Sequence, residues 1–238
     1  MRILSFIFTL AFAIGVSAQS LSVTKPFHEG TKFANSGDFE RALSRYHAAF
    51  DAARREVIDS DHLAKLHYNL GVCEFRLGHN EQAIAEFDQA IKLKKGDYAI
   101  AFYALGMAES ARENWGAARL AFLQAIKSNK QNGEAWFDLA FAYLGESDLT
   151  GAEMAFQNSI TYNSVDLALS HNNVGAILAV RGDLAAAEKE FEAAVRASGG
   201  KLTEAKRNLD YCRSRAAKLV AAMVTSGFAY TGRRGTMF

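Results

Sequence analysis

Two glutamates at matching positions, Glu74 and Glu109, are the residues whose types and spacing could do chemistry. They lie 35 residues apart, and each follows a glycine, Gly71 or Gly106, by three residues. If the fold brought the two carboxylates together, their repulsion would raise one pKa, a property used in acid–base catalysis. Alternatively, each carboxylate reaches solvent or an arginine, such as Arg112 near Glu109. We favour this second interpretation and predict no catalytic residue.

The histidines and cysteines do not follow the spacing of a metal site or of a catalytic nucleophile. His62 and His67 are five residues apart, which is a poor spacing for two ligands on one helix face. Cys73 has no histidine placed to activate it. The chain also lacks a glycine-rich phosphate loop, a nucleophile elbow and a His-Glu-x-x-His run. The sequence therefore predicts no metal, no cofactor and no enzymatic activity.

The charges of the chain are balanced. Its 238 residues include 27 lysines and arginines and 26 acidic residues, for a formal net charge of +1. Nucleic-acid-binding proteins usually concentrate basic residues on one face. Because this sequence has no basic cluster, we expect no nucleic-acid partner.

The first residues have the features of a secretory signal. Arg2 precedes an apolar run from Ile3 to Val16, and residues 16–18 read Val-Ser-Ala, a small-x-small cleavage site. The run is shorter than the roughly 18–20 residues that span a bilayer. We therefore predict that residues 1–18 are a signal peptide and that the chain is exported, to the periplasm or as a secreted protein. An uncleaved membrane anchor is the alternative, and no membrane span is expected after cleavage.

A spacing of small and aromatic residues recurs five times. In each copy a small residue is followed after 12 residues by alanine, after four more by an aromatic ring, and after three more by a small residue. The first small residues of the copies are Gly30, Gly71, Gly106, Ala140 and Gly175, and the aromatic residues are Tyr46, Phe87, Phe122, Phe156 and Phe191. Each copy holds two helical patterns separated by a turn rich in Gly, Asn, Asp and Ser. Helix–turn–helix units that repeat at this length indicate a stacked array.

The repeat resembles the tetratricopeptide repeat family, in the large residue followed by Leu-Gly or Leu-Ala and in the later Ala-aromatic-Ala triplet. Phe102 before Leu105-Gly106 and Trp136 before Leu139-Ala140 carry the first part of this likeness. The resemblance implies an all-α, right-handed α-solenoid. We assign about five repeats within residues 19–200, a capping helix and a flexible tail; the approximate ranges are 24–60, 64–98, 99–132, 133–167 and 168–200 for the repeats, 201–224 for the cap and 225–238 for the tail.

Three further expectations follow from this arrangement. Gly71 and its equivalents should lie where the paired helices approach most closely. The seven extra residues of the first copy, within 54–62, should lengthen its second helix by two turns. Cys73 and Cys212 belong to distant layers of the array, so both should be free thiols.

A second face of the first helices is apolar and aromatic, and we call it the binding face. In the tetratricopeptide repeat family this face lines a concave groove that binds peptides, which implies a protein or peptide partner with an apolar or aromatic segment. The alternative is that these side chains pack between neighbouring first helices. The binding-face residues are Tyr68, Phe75, Arg76, Tyr103, Met107, Phe137, Phe141 and Leu144.

The sequence thus predicts a non-catalytic scaffold or assembly factor of the cell envelope that binds apolar segments in this groove. A self-associating structural component of the envelope is one alternative, since Phe228, Tyr230 and Phe238 could occupy the groove of the same chain or of a neighbour. An accessory subunit of an enzyme complex that uses Glu74 and Glu109 is another.

Overall fold

The computed structural model describes residues 21–55, 58–164 and 166–214, and all regular structure within them is helical. Residues 21–35 form α1. The helices that follow are α2 Phe39–Ala53, α3 Ser60–Arg76, α4 Asn80–Leu93, α5 Ala99–Ala111, α6 Trp115–Ser128, α7 Gly133–Gly145, α8 Leu149–Thr161, α9 Leu167–Val180, α10 Leu184–Ala197 and α11 Thr203–Arg213. The all-α fold and the paired helix–turn–helix units are confirmed. The predicted signal peptide, the predicted tail and the last part of the predicted capping helix lie outside the described residues.

The chain divides after Ala108 into two compact units. The first unit contains α1 to α4 and most of α5, and the second contains the end of α5 and α6 to α11. Within the first unit, α3 packs against α2 and α4; within the second, α7 packs against α6 and α8, and α9 against α8 and α10. None of the described helices combines the length and the apolar character that a membrane crossing requires.

The turn inside each copy has the same backbone geometry. One residue takes a positive φ, and the next N–H bonds the carbonyl five residues back, as from Asp38 N to Phe33 O at 3.0 Å. This is a Schellman motif, which satisfies the free carbonyls at a helix end. Asp38 then caps the following helix by accepting a bond from Arg41 N. The residues with positive φ are Gly37, Gly78, Glu113, Ser147 and Gly182.

Close approach of the paired helices explains the glycine at the first position of the repeat. A Cβ on Gly71 would lie 2.7 Å from Phe87 Cε1 on the second helix of the copy. The same contact would be 2.8 Å from Gly175 to the Phe191 ring and from Gly30 to the Tyr46 ring. These rings are fully buried, so the absence of a side chain on the glycine lets the aromatic ring lie against the helix backbone. The expectation for Gly71 is confirmed.

The expected extension of the second helix in the first copy is wrong. That helix, α2, ends at Ala53, and α3 already begins at Ser60. Asp59 takes extended backbone geometry and its carboxylate accepts a 2.9 Å bond from His62 N, so this residue caps a new helix. Part of the added length therefore goes to α3, which has 17 residues.

Both cysteines are free, as predicted, and the structure shows that both are buried. Burial, reinforced by the neighbouring Glu74 carboxylate, raises the pKa of the Cys73 thiol to about 12. Burial followed by the nearby Glu188 charge also raises the pKa of Cys212. Both thiols are therefore protonated and weakly reactive at neutral pH.

Candidate functional site

An apolar pocket opens in the first unit between α1 and α3. Its cavity volume is about 220 Å³. Its wall residues are Val23, Thr24, Phe27, Ile58, Leu63 and Leu66. Because α1 and α3 are the first helices of adjacent copies, the pocket lies between two neighbouring repeats.

Contacts with the core fix the floor of the pocket. The Phe27 ring meets the Tyr46 ring edge to face, with centroids 5.6 Å apart. The Tyr46 hydroxyl donates to Thr31 Oγ1 at 3.1 Å, and the Thr31 hydroxyl donates to the Phe27 carbonyl. Gly30 lies against the same tyrosine ring. Phe27 is thus held by both α1 and α2, and the floor is formed before any ligand binds.

The rim of the pocket carries basic groups. Of the described residues that line it, the ionisable ones are His28, His62 and Lys65, and none is acidic. The Asp59 carboxylate lies beyond the lining and contacts His62 Nδ1 at 2.6 Å. The lining therefore combines an apolar interior with an edge that carries one lysine, Lys65.

The first-unit residues of the binding face are mostly half-buried. Tyr68 packs between the Phe87 and Tyr98 rings, with centroids 6.0 and 5.7 Å away, and burial followed by the Tyr98 charge raises the pKa of Tyr68 to about 12. Phe75 and Tyr103 are also half-buried, whereas Met107 is buried. The Arg76 guanidinium stacks on the Phe39 ring at 4.6 Å, so it already has a partner at the start of α2.

In the second unit the expected exposure of the binding face is wrong. Phe137 and Phe141 are only 4% and 8% exposed. Their rings meet each other at 5.1 Å and meet Phe156 of α8 at 5.7 and 5.3 Å. They are therefore core residues of the α7–α8 pair. A residue at the border between two faces of its helix can turn its ring towards the partner helix. Leu144 stays half-buried.

Glu74 and Glu109 each have a partner in their own turn. His79 Nδ1 lies 2.7 Å from Glu74 Oε2, and Asn114 Nδ2 donates to Glu109 Oε2 at 3.0 Å. In both cases the partner is the residue at the start of the next helix, five positions on. These carboxylates therefore fasten a helix end to a turn, which supports the structural interpretation. No described His, Cys, Asp and Glu side chains form a group of three that could hold a metal.

A repeated histidine–glutamate contact was not predicted. His67 Nδ1 lies 2.6 Å from Glu86 Oε2, and His171 Nδ1 lies 2.7 Å from Glu190 Oε2. Each contact joins the first helix of a copy to its second helix. The signal in the sequence is the spacing of 19 residues, which recurs three copies later.

The pocket was missed as well, although the repeat offset could have located part of it. Thr24 and Phe27 lie 41 residues before Lys65 and Tyr68, the offset between the first two copies. They are the first-copy members of the same helix face. Ile58 is the exception, because it belongs to the connection between α2 and α3, where the repeat offset gives no guidance.

Two sequence models described as tetratricopeptide repeat match the chain, over residues 33–96 and 103–164, and together they span more than half of it. The comparison with curated proteins gives no match. MamA from Desulfovibrio magneticus RS-1 has a similar structure, with 19% identity, a TM-score of 0.66, and coverage of 76% of this chain and 97% of that one. YrrB, described as a TPR protein with an unusual peptide-binding site, has 19% identity and a TM-score of 0.64 over 81% of this chain and 94% of that one.

Proposed function

Because the chain belongs to the tetratricopeptide repeat family, we propose that it is a non-catalytic scaffold that binds an apolar segment of a protein or peptide partner on the first helices of its first unit. The observation that carries this proposal is the pocket between α1 and α3, with its fixed aromatic floor. Protein binding is the general role of this repeat family, and YrrB is described as having a peptide-binding site.

The proposed contact surface continues from the pocket along the binding face of the first unit. Lys65 at the pocket rim and Tyr68 are three residues apart on α3, so they share one side of that helix. Tyr103, 35 residues after Tyr68, holds the equivalent position on α5 and is also half-buried. Aromatic side chains in such positions supply large contact area with little loss of side-chain entropy, and they often dominate the energy of an interface.

Burial limits the surface in the second unit. Phe137 and Phe141 are already packed against Phe156, so exposing them to a partner would break core contacts. Removing a buried phenylalanine from its neighbours costs about 3–5 kcal/mol. We therefore leave both residues out of the proposed surface and assign binding to Tyr68, Tyr103 and the pocket.

We also propose that the chain is exported and acts in the cell envelope. The support is the sequence of residues 1–18, with its single arginine, apolar run and Val-Ser-Ala site. Cell fractionation followed by sequencing of the mature N-terminus tests this. A cytoplasmic chain that retains Met1 would contradict the proposal.

The binding proposal is tested by crosslinking in the native cells and mass spectrometry, followed by binding measurements with the purified partner. The test variant is Tyr68→Ser combined with Tyr103→Ser. The control is Tyr162→Ser combined with Tyr211→Ser, which removes two half-buried tyrosines from the second unit. Circular dichroism shows whether each variant stays folded.

We expect the test variant to lose the partner while the control keeps it. A partner that binds both variants equally would contradict the proposed surface. If the test variant instead changes only the oligomeric state, measured by light scattering, the surface would serve self-association. Turnover of a substrate by the purified chain would contradict the non-catalytic part of the proposal.

A further inference from the structure

We propose that the α1–α3 pocket is an anchor site for one bulky apolar side chain, an aromatic ring or a leucine, from a partner segment whose neighbouring residues are acidic. This inference rests on the proposed function and adds the place of the anchor and the chemistry of the partner. Three properties of the pocket carry it, namely its volume, its fixed floor and the exposed Lys65 at its rim.

The volume fits one side chain. An apolar cavity of about 150 Å³ lined by aliphatic and aromatic residues binds benzene. At about 220 Å³ the α1–α3 pocket accepts an aromatic ring or a leucine with room for its Cβ. It is too small for the several side chains along one face of a helix. An extended segment that inserts one residue is the partner geometry that matches this size.

The fixed floor favours a specific anchor over a general apolar contact. Phe27 is held by Tyr46, and Tyr46 is held by its bond to Thr31. Sites that are formed before binding avoid the entropy cost of ordering their side chains. An inserted ring would meet the Phe27 ring directly, and paired aromatic rings attract each other beyond the effect of the apolar area that they bury.

Lys65 at the rim selects the residues beside the anchor. The acidic residues at the cap and in the first turn of α3 each have a basic partner, since Asp59 contacts His62 of the rim and Asp61 contacts Lys94 Nζ at 3.1 Å. Lys65 is exposed at the rim and lies on the same side of α3 as the pocket. A carboxylate next to the inserted side chain would therefore meet Lys65, whereas a lysine there would be repelled.

Fluorescence anisotropy with labelled seven-residue peptides tests the inference on the full chain. The probes are GSDFDSG, its Phe-to-Ala analogue GSDADSG and its basic analogue GSKFKSG. We expect GSDFDSG to bind about tenfold or more tightly than GSDADSG, since burying a phenylalanine contributes about 1.5–3 kcal/mol. GSDFDSG should also bind more tightly than GSKFKSG, and its affinity should fall as the salt concentration rises.

Two variants place the binding at the pocket. Lys65→Glu should weaken GSDFDSG by about fivefold, while the control Lys32→Glu, an exposed lysine of α1 outside the pocket lining, should leave the affinity unchanged. Thr24→Phe should fill the pocket and abolish the preference for phenylalanine over alanine. If Thr24→Phe does not fold, the comparison of Lys65→Glu with Lys32→Glu and the three peptides still test the inference.

Several outcomes would overturn the inference. Equal binding of the acidic and basic peptides would remove the charge argument, and binding that Thr24→Phe leaves intact would place the anchor elsewhere. A chain that is dimeric and becomes monomeric with Thr24→Phe would mean that a second copy covers the pocket. The proposed function fails separately, when the Tyr68 and Tyr103 variant still binds the partner found by crosslinking.

Discussion

Replacing glycine by alanine at two helical positions should have different effects on stability. At position 71 the new Cβ would lie 2.7 and 2.8 Å from two carbons of the Phe87 ring and 3.2 Å from the Ala83 carbonyl oxygen. Carbon atoms in contact are normally about 3.5–4.0 Å apart, so the ring or the helix must shift. At position 116 the nearest atom to a new Cβ is Glu146 Oε1 at 3.4 Å, the end of a flexible side chain.

The magnitude follows from two opposing effects. Alanine in a helix interior is favoured over glycine by about 1 kcal/mol, and this gain applies in both helices, although it is smaller at position 116, one residue after the start of α6. Overpacking a well-filled contact costs about 1–3 kcal/mol, and this cost applies only at position 71. We therefore expect Gly116→Ala to stabilise the chain by up to about 1 kcal/mol. At position 71 the same gain is set against the overpacking cost, so Gly71→Ala should leave stability between unchanged and lower by about 2 kcal/mol.

The fourth copy limits how large the effect of a single methyl can be. Ala140 stands at the position equivalent to Gly71 and is fully buried, so a helix pair of this kind can be built around one Cβ. This places Gly71→Ala near the lower end of the range, and Gly71→Leu should cost clearly more because its branched side chain cannot fit between the helix and the ring.

Urea unfolding followed by circular dichroism measures the differences, provided that the slope of free energy against denaturant is unchanged between variants. In thermal unfolding each kcal/mol corresponds to about 2–4 °C for a chain of this length. Gly71→Ala and Gly116→Ala that shift the midpoint equally would show that Phe87 does not press on the α3 backbone. A stabilising Gly71→Leu would refute the close-approach argument altogether.

Three further predictions test other parts of the structure. Ser147→Gly should stabilise the chain by about 0.5–1 kcal/mol in urea unfolding, because Ser147 has a φ of +62°, which glycine adopts with less strain than serine does. A variant that is no more stable would contradict the turn geometry. Cys73 and Cys212 should react slowly with a thiol reagent in the native state and react fully in denaturant, and fast labelling of the native state at neutral pH would contradict this. The free energy of unfolding should also fall as the pH rises from the ordinary thiol pKa of 9.0 towards about 12, because the folded state holds the Cys73 proton more tightly than the unfolded state does. The Arg41 side chain lowers the pKa of Asp38, so the contribution of this contact to stability is present above pH 3.8 and is lost as the pH falls below it. Asp38→Asn should therefore lose less stability in acid than the unchanged chain, and an identical dependence of stability on pH would argue against the contact.

The sequence spacing was sufficient to predict which residues share a helix and where two helices meet. The steps of 12, 4 and 3 residues between small and aromatic positions placed Gly71 at the close approach of the paired helices, where the structure has the Phe87 ring against it. They also implied helix–turn–helix pairs, because five copies of one spacing require one repeated packing geometry. The same reasoning failed within residues 54–62, where the outcome depended on the local capping strength of Asp59 and not on the helical period.

Exposure could not be predicted in the same way, because a helical period gives the side of a helix but not what covers that side. The rotation of 100° per residue placed Phe137 on the binding face, yet its ring turns towards Phe156 and is buried. The pocket between α1 and α3 could not be predicted for a related reason. It depends on Ile58, which lies outside the repeated spacing, and on side chains of two separate copies.

A single position, followed through the five copies, differs in exposure from one part of the repeated fold to another. The equivalent residues are Phe27, Tyr68, Tyr103, Phe137 and Asn172. The first three are half-buried, while Phe137 is 4% and Asn172 is 1% exposed, and Asn172 accepts a hydrogen bond from Asn208 at 2.9 Å. Because the backbone repeats but this side chain does not, the first three copies keep a partly exposed aromatic ring, which belongs to the surface that we propose for binding, and the last two use the position for internal packing. Replacing Phe137 should therefore lower stability, whereas replacing Tyr103 should lower binding.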